Sequence, residues 1–187
     1  MAVKISAIIL VIILNCYKID AQNINIGAKI SVFNIGIDKQ EQSYTYFSVF
    51  NINGILEIEL NDVWSISAQP GFLITIDQPY NGFEINTLVR YEFERRREYL
   101  NVGINMLNNR SGSSSASYSN GKFLVNGLIG AGMFFSNNVF AQVSLIYPLT
   151  RSDIGYFQTR NTLGYLERSQ IKFNYIFKLS VGFIVDL

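Results

Sequence analysis

Histidine is absent from this 187-residue chain, cysteine occurs once and proline three times, and Lys, Arg, Asp and Glu together make up only 16% of it. Without histidine, every scheme that uses imidazole as base, acid or metal ligand is excluded, from Ser-His-Asp hydrolysis to the common zinc sites. One cysteine cannot form an intrachain disulfide. Fifteen basic against 14 acidic residues leave a net charge of +1, so the basic excess of a nucleic-acid binder is missing. The charged fraction lies below the usual ~25%, while the apolar share of 49% is ordinary. No segment shows a helical period, and no apolar run after residue 21 is long enough for a membrane helix. What is abundant is Phe (14) and Tyr (11), and the chain is short enough for one domain.

The first 21 residues read as an export signal. Lys4 supplies a positive start, Ile5 to Leu14 is apolar except for Ser6, and Asn15 to Asp20 leads to Ala21-Gln22, with the expected cut after Ala21. Ten apolar residues are too few to span a bilayer as a helix, which needs ~20, so a permanent anchor is the weaker account. Lipidation at Cys16 is disfavoured because Asn15 stands where a small residue is preferred. Cleavage would remove Lys4, Lys18, Asp20 and Cys16, leaving 13 basic and 13 acidic groups over residues 22–187 and no cysteine.

Beyond residue 22 the pattern is period two, the signature of strands with two unlike faces. Ile24, Ile26, Ala28, Ile30 and Val32 alternate with polar or small residues; Ile52, Leu56, Ile58 and Leu60 alternate with Asn51, Asn53, Glu57 and Glu59. Trp64 to Ile76 sets Trp64, Ile66, Phe72 and Ile74 against Ser65, Ser67, Gln69 and Gly71, with Pro70 suggesting a bulge. Phe83 to Phe93 opposes Ile85, Val89 and Tyr91 to Asn86, Leu88, Arg90 and Glu92. Leu100 to Met106, Val125 to Phe135 and Val139 to Tyr147 repeat the scheme, and from Ile171 to Leu187 every odd position is apolar.

These eight strands are joined by connections that alternate short (near Asn61, Arg96 and Asn137) and long (35–46, 76–83, 107–122 and 148–170). An even strand number with short periplasmic turns and longer extracellular loops is the layout of a transmembrane barrel. The expected fold is therefore an all-β, eight-stranded antiparallel up-and-down transmembrane β-barrel. A soluble ligand-binding barrel would turn its apolar face inward, but eight strands leave a lumen barely wide enough for side chains, and nine bulky residues from the last strand alone would not fit it. Two aromatic girdles follow: Trp64, Tyr91, Phe93, Tyr99 and Phe135 at the short turns, and Tyr44, Tyr46, Phe47, Tyr147, Phe173 and Tyr175 toward the loops.

On this assignment Lys29, Glu57, Glu59, Arg90, Glu92 and Lys178 face the lumen, where opposite charges pair because a lone buried charge costs several kcal/mol. Packing and neutralisation explain them better than transport does. Gly127, Gly130 and Gly132 lack the following helix of a nucleotide-binding loop and fit a crowded lumen wall. Asn109-Arg110-Ser111 matches a glycan sequon, Ser111 to Ser119 reads as a flexible loop, and Arg151, Arg160 and Arg168 are either solvated loop charges or contacts for lipopolysaccharide phosphates. No metal, cofactor or catalytic constellation emerges.

The leader, the hairpins LEIELNDVWSISAQPGFL and FEINTLVRYEFERRREYLNVGINM, and the final strand FNYIFKLSVGFIVDL resemble the small outer-membrane β-barrel domain family of Gram-negative bacteria, which includes PorT-like barrels and outer-membrane protein X-like barrels. The resemblance covers residues 23–187. It implies an outer-membrane location, and a last strand (Phe177, Leu179, Val181, Phe183, Val185, Leu187) read by the barrel-assembly machinery, with Leu187 where an aromatic residue is usual. Outer-membrane lipid is then the first partner. The functions it leaves open are a structural or surface-interaction protein, an accessory component of a secretion or envelope-assembly system, and a narrow channel, with an enzyme more remote.

Overall fold

The computed structural model describes residues 23–39, 42–74, 82–93, 97–110, 112–114, 117–119, 121–149, 153–160 and 166–187. The leader 1–21, with Cys16, lies outside them, as do Arg151 and most of the Glu94 to Glu98 turn. Eleven strands follow in chain order: β1 (Ile24–Lys39), β2 (Gln42–Asn61), β3 (Trp64–Ile74), β4 (Gly82–Glu92), β5 (Glu98–Asn109), β6 (Gly112–Ser114), β7 (Ser117–Ser119), β8 (Lys122–Phe134), β9 (Val139–Pro148), β10 (Asp153–Arg160) and β11 (Leu166–Asp186). Among the described residues no helix is long and apolar enough to cross a membrane, which leaves a strand-built crossing untouched.

Eight of these strands close a barrel. Antiparallel neighbours run β1-β2-β3-β4-β5-β8-β9-β11, and β11 pairs back onto β1 from Asn25↔Asp186 to Lys39↔Ile171. Closure removes the sheet edge, so the wall pairs with itself all round. The alternation sorts the faces. Between Ile24 and Val32, Phe50 and Leu60, Trp64 and Ile74, Phe83 and Tyr91, Leu100 and Met106, Phe123 and Met133, Val139 and Tyr147, and Phe177 and Val185, no outward position carries a charge. Ile30, Phe72, Val102 and Ile129 are exposed there.

The described residues of the connections expected at 35–46, 107–122 and 148–170 are largely in strands instead. Ile35 to Lys39 pair with Tyr46 to Gln42, so β1 and β2 continue as one ladder well beyond the barrel wall. The β3–β2 pairing ends at Phe50↔Ile74, and β9 leaves β11 at Ile176↔Ile146. Above that level β11 takes β10 as its neighbour from Asp153↔Lys172 to Arg160↔Leu166, β10 pairs with β7, and β7 with β6. The Ser/Gly stretch 111–119 thus contributes two short strands where the sequence reads as a flexible loop. A sheet of β2, β1, β11, β10, β7 and β6 projects from the hairpin end, and both ends of the described chain lie at the short-turn end.

Two irregularities change which residues point inward. Gly36 pairs with Tyr175 but Ile37 with Phe173, leaving Asn174 as an extra residue in β11. Below this bulge the even residues Ile176, Lys178 and Ser180 are buried, and above it the odd residues Ile171 and Phe173 are. The uninterrupted apolar run of odd positions from Ile171 is therefore split between lumen and lipid face, because a one-residue insertion reverses the pleat. A second shift between Ser31 and Phe33 does the same to β2. Pro70 causes no bulge: β3 keeps its register from Gly71↔Asn53 to Ala68↔Leu56, and the ring faces outward opposite Gly54, where no ladder bond is formed.

The girdle assignment needs two corrections. Trp64 and Phe135 are exposed at the short-turn end, with Trp64 against Tyr91 at 4.8 Å and Tyr91 against Phe93 at 5.3 Å. Tyr99 and Phe173, however, are fully buried inside the barrel. Tyr99 fits because Gly132 stands opposite it: a Cβ there would fall within the ring. Gly130 also faces the lumen, whereas Gly127 faces outward beside Leu149 and is not part of the inner wall.

The outward assignment of Val181 is directly testable. Val181→Arg places a cation on the apolar belt at a cost of about 2–4 kcal/mol near a bilayer midplane. It should abolish the heat-modifiable band on electrophoresis, while Gln42→Arg, exposed on the projecting hairpin, should keep it. Equal tolerance of both would show the faces to be reversed.

Candidate functional site

The lumen gathers buried charge, and the inward parity of each strand decides what enters it. Its interior forms three layers. At the short-turn end, Ile55, Tyr99, Phe140 and Ile184 make an aromatic floor with Phe134 against it. Arg90 lies on that floor, 4.7 Å above the Tyr99 ring centroid and 5.5 Å from that of Phe134, and donates to Glu57 Oε1 at 3.0 Å. Cation–π contact and a charge-assisted hydrogen bond together hold a guanidinium that burial alone would disfavour.

The middle layer is a polar lattice centred on Glu84. Its Oε1 accepts from Lys178 Nζ (2.7 Å), Asn51 Nδ2 (2.9 Å) and Asn53 Nδ2 (2.9 Å), and its Oε2 from Asn105 Nδ2 (2.9 Å) and Lys178 Nζ (3.0 Å). Lys178 also donates to Asn51 Oδ1 at 3.0 Å. Asparagines extend the lattice along the wall: Asn105 donates to Asn86 Oδ1 and Asn126 to Asn105 Oδ1, both at 2.8 Å. Elsewhere in the lumen Gln142 accepts from Asn101 (3.0 Å) and donates to Ser144 Oγ (2.6 Å), and Ser31 pairs with Ser180 at 2.8 Å. Glu84 and Lys178 are 1% and 4% exposed at their side chains, so neither charge is shared with bulk water.

The third layer, toward the hairpin end, is apolar. Phe33, Ile35, Ile37, Leu73, Leu88, Leu107, Leu124, Leu128, Ile146, Ile171, Phe173 and Ile176 form one buried cluster, and β10 adds Ile154 to it from above. Asn109 is buried beneath β10 and donates to the Ile154 carbonyl at 3.3 Å, so the sequon asparagine is an internal tie and not a surface acceptor. Lys122 and Asp153 form an ion pair that fastens β8 to β10. A dry stack of this kind leaves ions nothing to coordinate.

Of the six charges expected in the lumen, Lys29, Glu57, Arg90 and Lys178 are buried there. Glu59 and Glu92 sit at the short-turn mouth: Glu59 accepts from Asn25 (2.8 Å) and Asn23 (3.2 Å), and Glu92, 39% exposed, lies 3.5 Å from Arg90. The six do not make one network. Arg90 joins Glu57 and Glu92, Lys178 joins Glu84, and Lys29 has no carboxylate within 4.0 Å among the described residues. Glu84 is the residue that sequence reasoning missed. Its signal was parity, since it precedes Asn86, Leu88 and Arg90 on the same inward face.

Phe177, Leu179, Val181, Phe183 and Val185 lie exposed on the outer face of β11, and Leu187, just past its end, is exposed as well. Arg168 stands over the Tyr156 ring at 5.0 Å on the projecting sheet. Among the described residues no group of three or more acidic or thiol side chains is arranged to hold a metal ion.

Comparison with known proteins finds small barrels. The N-terminal β-barrel domain of Pseudomonas aeruginosa OprF superposes with a TM-score of 0.47 at 19% identity, over 89% of this chain and 100% of that one. Neisserial surface protein A gives 0.46 at 16%, covering 89% and 99%, and OprG from Pseudomonas aeruginosa gives 0.44 at 10%, covering 89% and 98%. No family model and no curated protein matches the chain.

The Glu84–Lys178 pair predicts a characteristic non-additivity. Glu84→Gln strands the Lys178 ammonium and should cost about 3–5 kcal/mol in denaturant unfolding from detergent, whereas adding Lys178→Met to it should recover part of that loss. Simple additivity would show that the two charges do not act together. Likewise Glu57→Gln should lower the unfolding midpoint more than Asp38→Asn. Asp38 lies on the projecting hairpin, where the Ser43 hydroxyl (2.6 Å) holds its carboxyl below the usual range. Its contribution is lost only as pH falls through that lowered value, and solvent screening keeps it small.

Proposed function

We propose that this chain is an exported protein of the bacterial outer membrane, cleaved after Ala21, whose barrel is a closed anchor and whose projecting sheet faces the cell exterior for a structural or surface-interaction role. The observation that carries this reading is the combination of an uncharged outer belt on every barrel strand with a filled interior. Apolar side chains around the whole circumference are stable only against lipid, and a closed barrel is the strand architecture that hydrocarbon admits. The short turns and both ends of the described chain then face the periplasm.

The apolar layer argues against the channel reading: a path along the lumen would have to cross the cluster of Phe33, Phe173 and Ile154. The role in this reading is structural and not enzymatic. In this reading the exposed face of β11 is what the barrel-assembly machinery recognises. The PorT-like alternative, an accessory part of a secretion or envelope-assembly system, would appear as stable co-purification with other envelope proteins. Arg168, on the projecting sheet, is available to lipopolysaccharide phosphates at the rim.

Fractionation of cells expressing the full chain should place it in the outer membrane, with a folded band whose mobility changes on boiling. The purified barrel in planar bilayers should show no steady conductance. A soluble periplasmic band without a heat shift would overturn the reading, and sustained conductance would replace the anchor with a channel.

A further inference from the structure

On the outer surface, at the hairpin end of β3, β4 and β5, a cleft of about 460 Å³ opens at the rim of the apolar belt. Ligand sites commonly measure about 300–1,000 Å³, so the cleft has room for part of a lipid-sized molecule. One side of it is apolar: Phe72, Ile74 and Phe83 line it and are exposed on the outer face, with Phe72 and Phe83 edge to face at 5.4 Å. The other side is polar, lined by Asn108 and Arg110 at the end of β5, both exposed.

Strand parity explains the division. On β5 the outward positions change from Ile104 and Met106 to Asn108, while the paired residues on either side remain aromatic, Phe83 on β4 and Phe123 on β8. The belt therefore has a polar notch between two phenylalanines. Gly82 keeps the notch open: its φ is 155°, and a Cβ there would collide with the Asn108 carbonyl. Among the described residues that line the cleft there is no carboxylate, so its one charge is the Arg110 cation.

We propose that this cleft holds lipopolysaccharide by a lipid A phosphate, with Arg110 on the phosphate, Asn108 on the adjoining sugar, and Phe72, Ile74 and Phe83 against the first part of an acyl chain. The occupant has to match both sides. A purely apolar chain leaves Asn108 and Arg110 unused, and a free phosphate leaves the phenylalanines bare, whereas an anionic amphiphile covers both. The planar guanidinium suits phosphate oxygens better than a point charge does. Arg110 also keeps a contact within the protein, and its five donors allow both. The choice of lipid rests on the export reading above, which turns the hairpin end toward the outer leaflet, where the anionic amphiphile is a phosphorylated, acylated glycolipid.

The test uses the full chain expressed in cells, purified in detergent and stripped of lipid. Native mass spectrometry counts bound lipid as lipid A is titrated, with dephosphorylated lipid A and phosphatidylglycerol as comparison probes. Saturable binding of lipid A is expected, weakened about tenfold by Arg110→Gln through loss of a charge-assisted hydrogen bond. Arg97→Gln, which removes the same charge at the short-turn end, should leave it unchanged. Phe72→Ser changes the apolar side without touching the Arg110 contact and should also weaken lipid A, every variant being scored in a barrel that keeps its heat shift. Equal binding of dephosphorylated lipid A overturns the phosphate contact, and equal binding of phosphatidylglycerol overturns the choice of lipopolysaccharide. Equal losses in Arg110→Gln and Arg97→Gln, or no loss in Phe72→Ser, overturn the cleft as the site. Fractionation that finds the chain outside the outer membrane would instead overturn the export reading, and the detergent titration would still decide whether the cleft selects a phosphorylated lipid.

Discussion

A carboxylate and an ammonium from opposite walls of the barrel meet in an interior sealed from water, and the rest of the molecule is arranged around that meeting. Glu84 enters from β4 and Lys178 from β11, with Asn51 and Asn53 from β2 and Asn105 from β5 saturating the same carboxylate. Four strands are thus joined through one anion. In a low-dielectric interior, breaking one partner is far more costly than the pair's net contribution to stability. The pair acts chiefly as a register device, since a slip of one residue in β4 or β11 would carry a charge to the lipid face.

That constraint explains the layering. Below the pair, Arg90 rests on Tyr99 and Phe134 and meets Glu57. Above it aliphatic and aromatic side chains fill the space up to β10, where the Lys122–Asp153 ion pair closes the top. The bulge at Asn174 marks the change of regime on β11: below it the strand gives Lys178 and Ser180 to the lumen, above it Ile171 and Phe173. One inserted residue allows a single 21-residue strand to serve a polar lattice, an apolar plug and a sheet beyond the barrel.

The outside obeys the opposite rule. An uncharged belt runs round all eight barrel strands, while on the inside polar groups hydrogen-bond to one another across the lumen, as Asn105 does with Asn86 and Asn126. The two ends of the barrel differ: a projecting sheet on one side, and on the other a small recess lined by carboxylates and two arginines.

Much of this was legible from the chain alone, because the parity of a strand residue is a local property. Period-two alternation suffices for eight barrel strands, for an apolar outer face, and for the inward direction of Lys29, Glu57, Arg90 and Lys178. Pairing across the lumen is not local. Lys178 and Glu84 lie 94 residues apart, and only closure of the sheet brings them together. Nor does alternation carry the bulges, which depend on how two strands match in length and twist. They turned Phe173 inward, while Gly132, opposite Tyr99 across β5 and β8, opened the space that took that ring from an expected girdle into the floor. The short strands β6, β7 and β10 escaped the sequence for a related reason: with few residues and little apolar contrast, they exist because β11 continues past β9 and offers an edge to pair with.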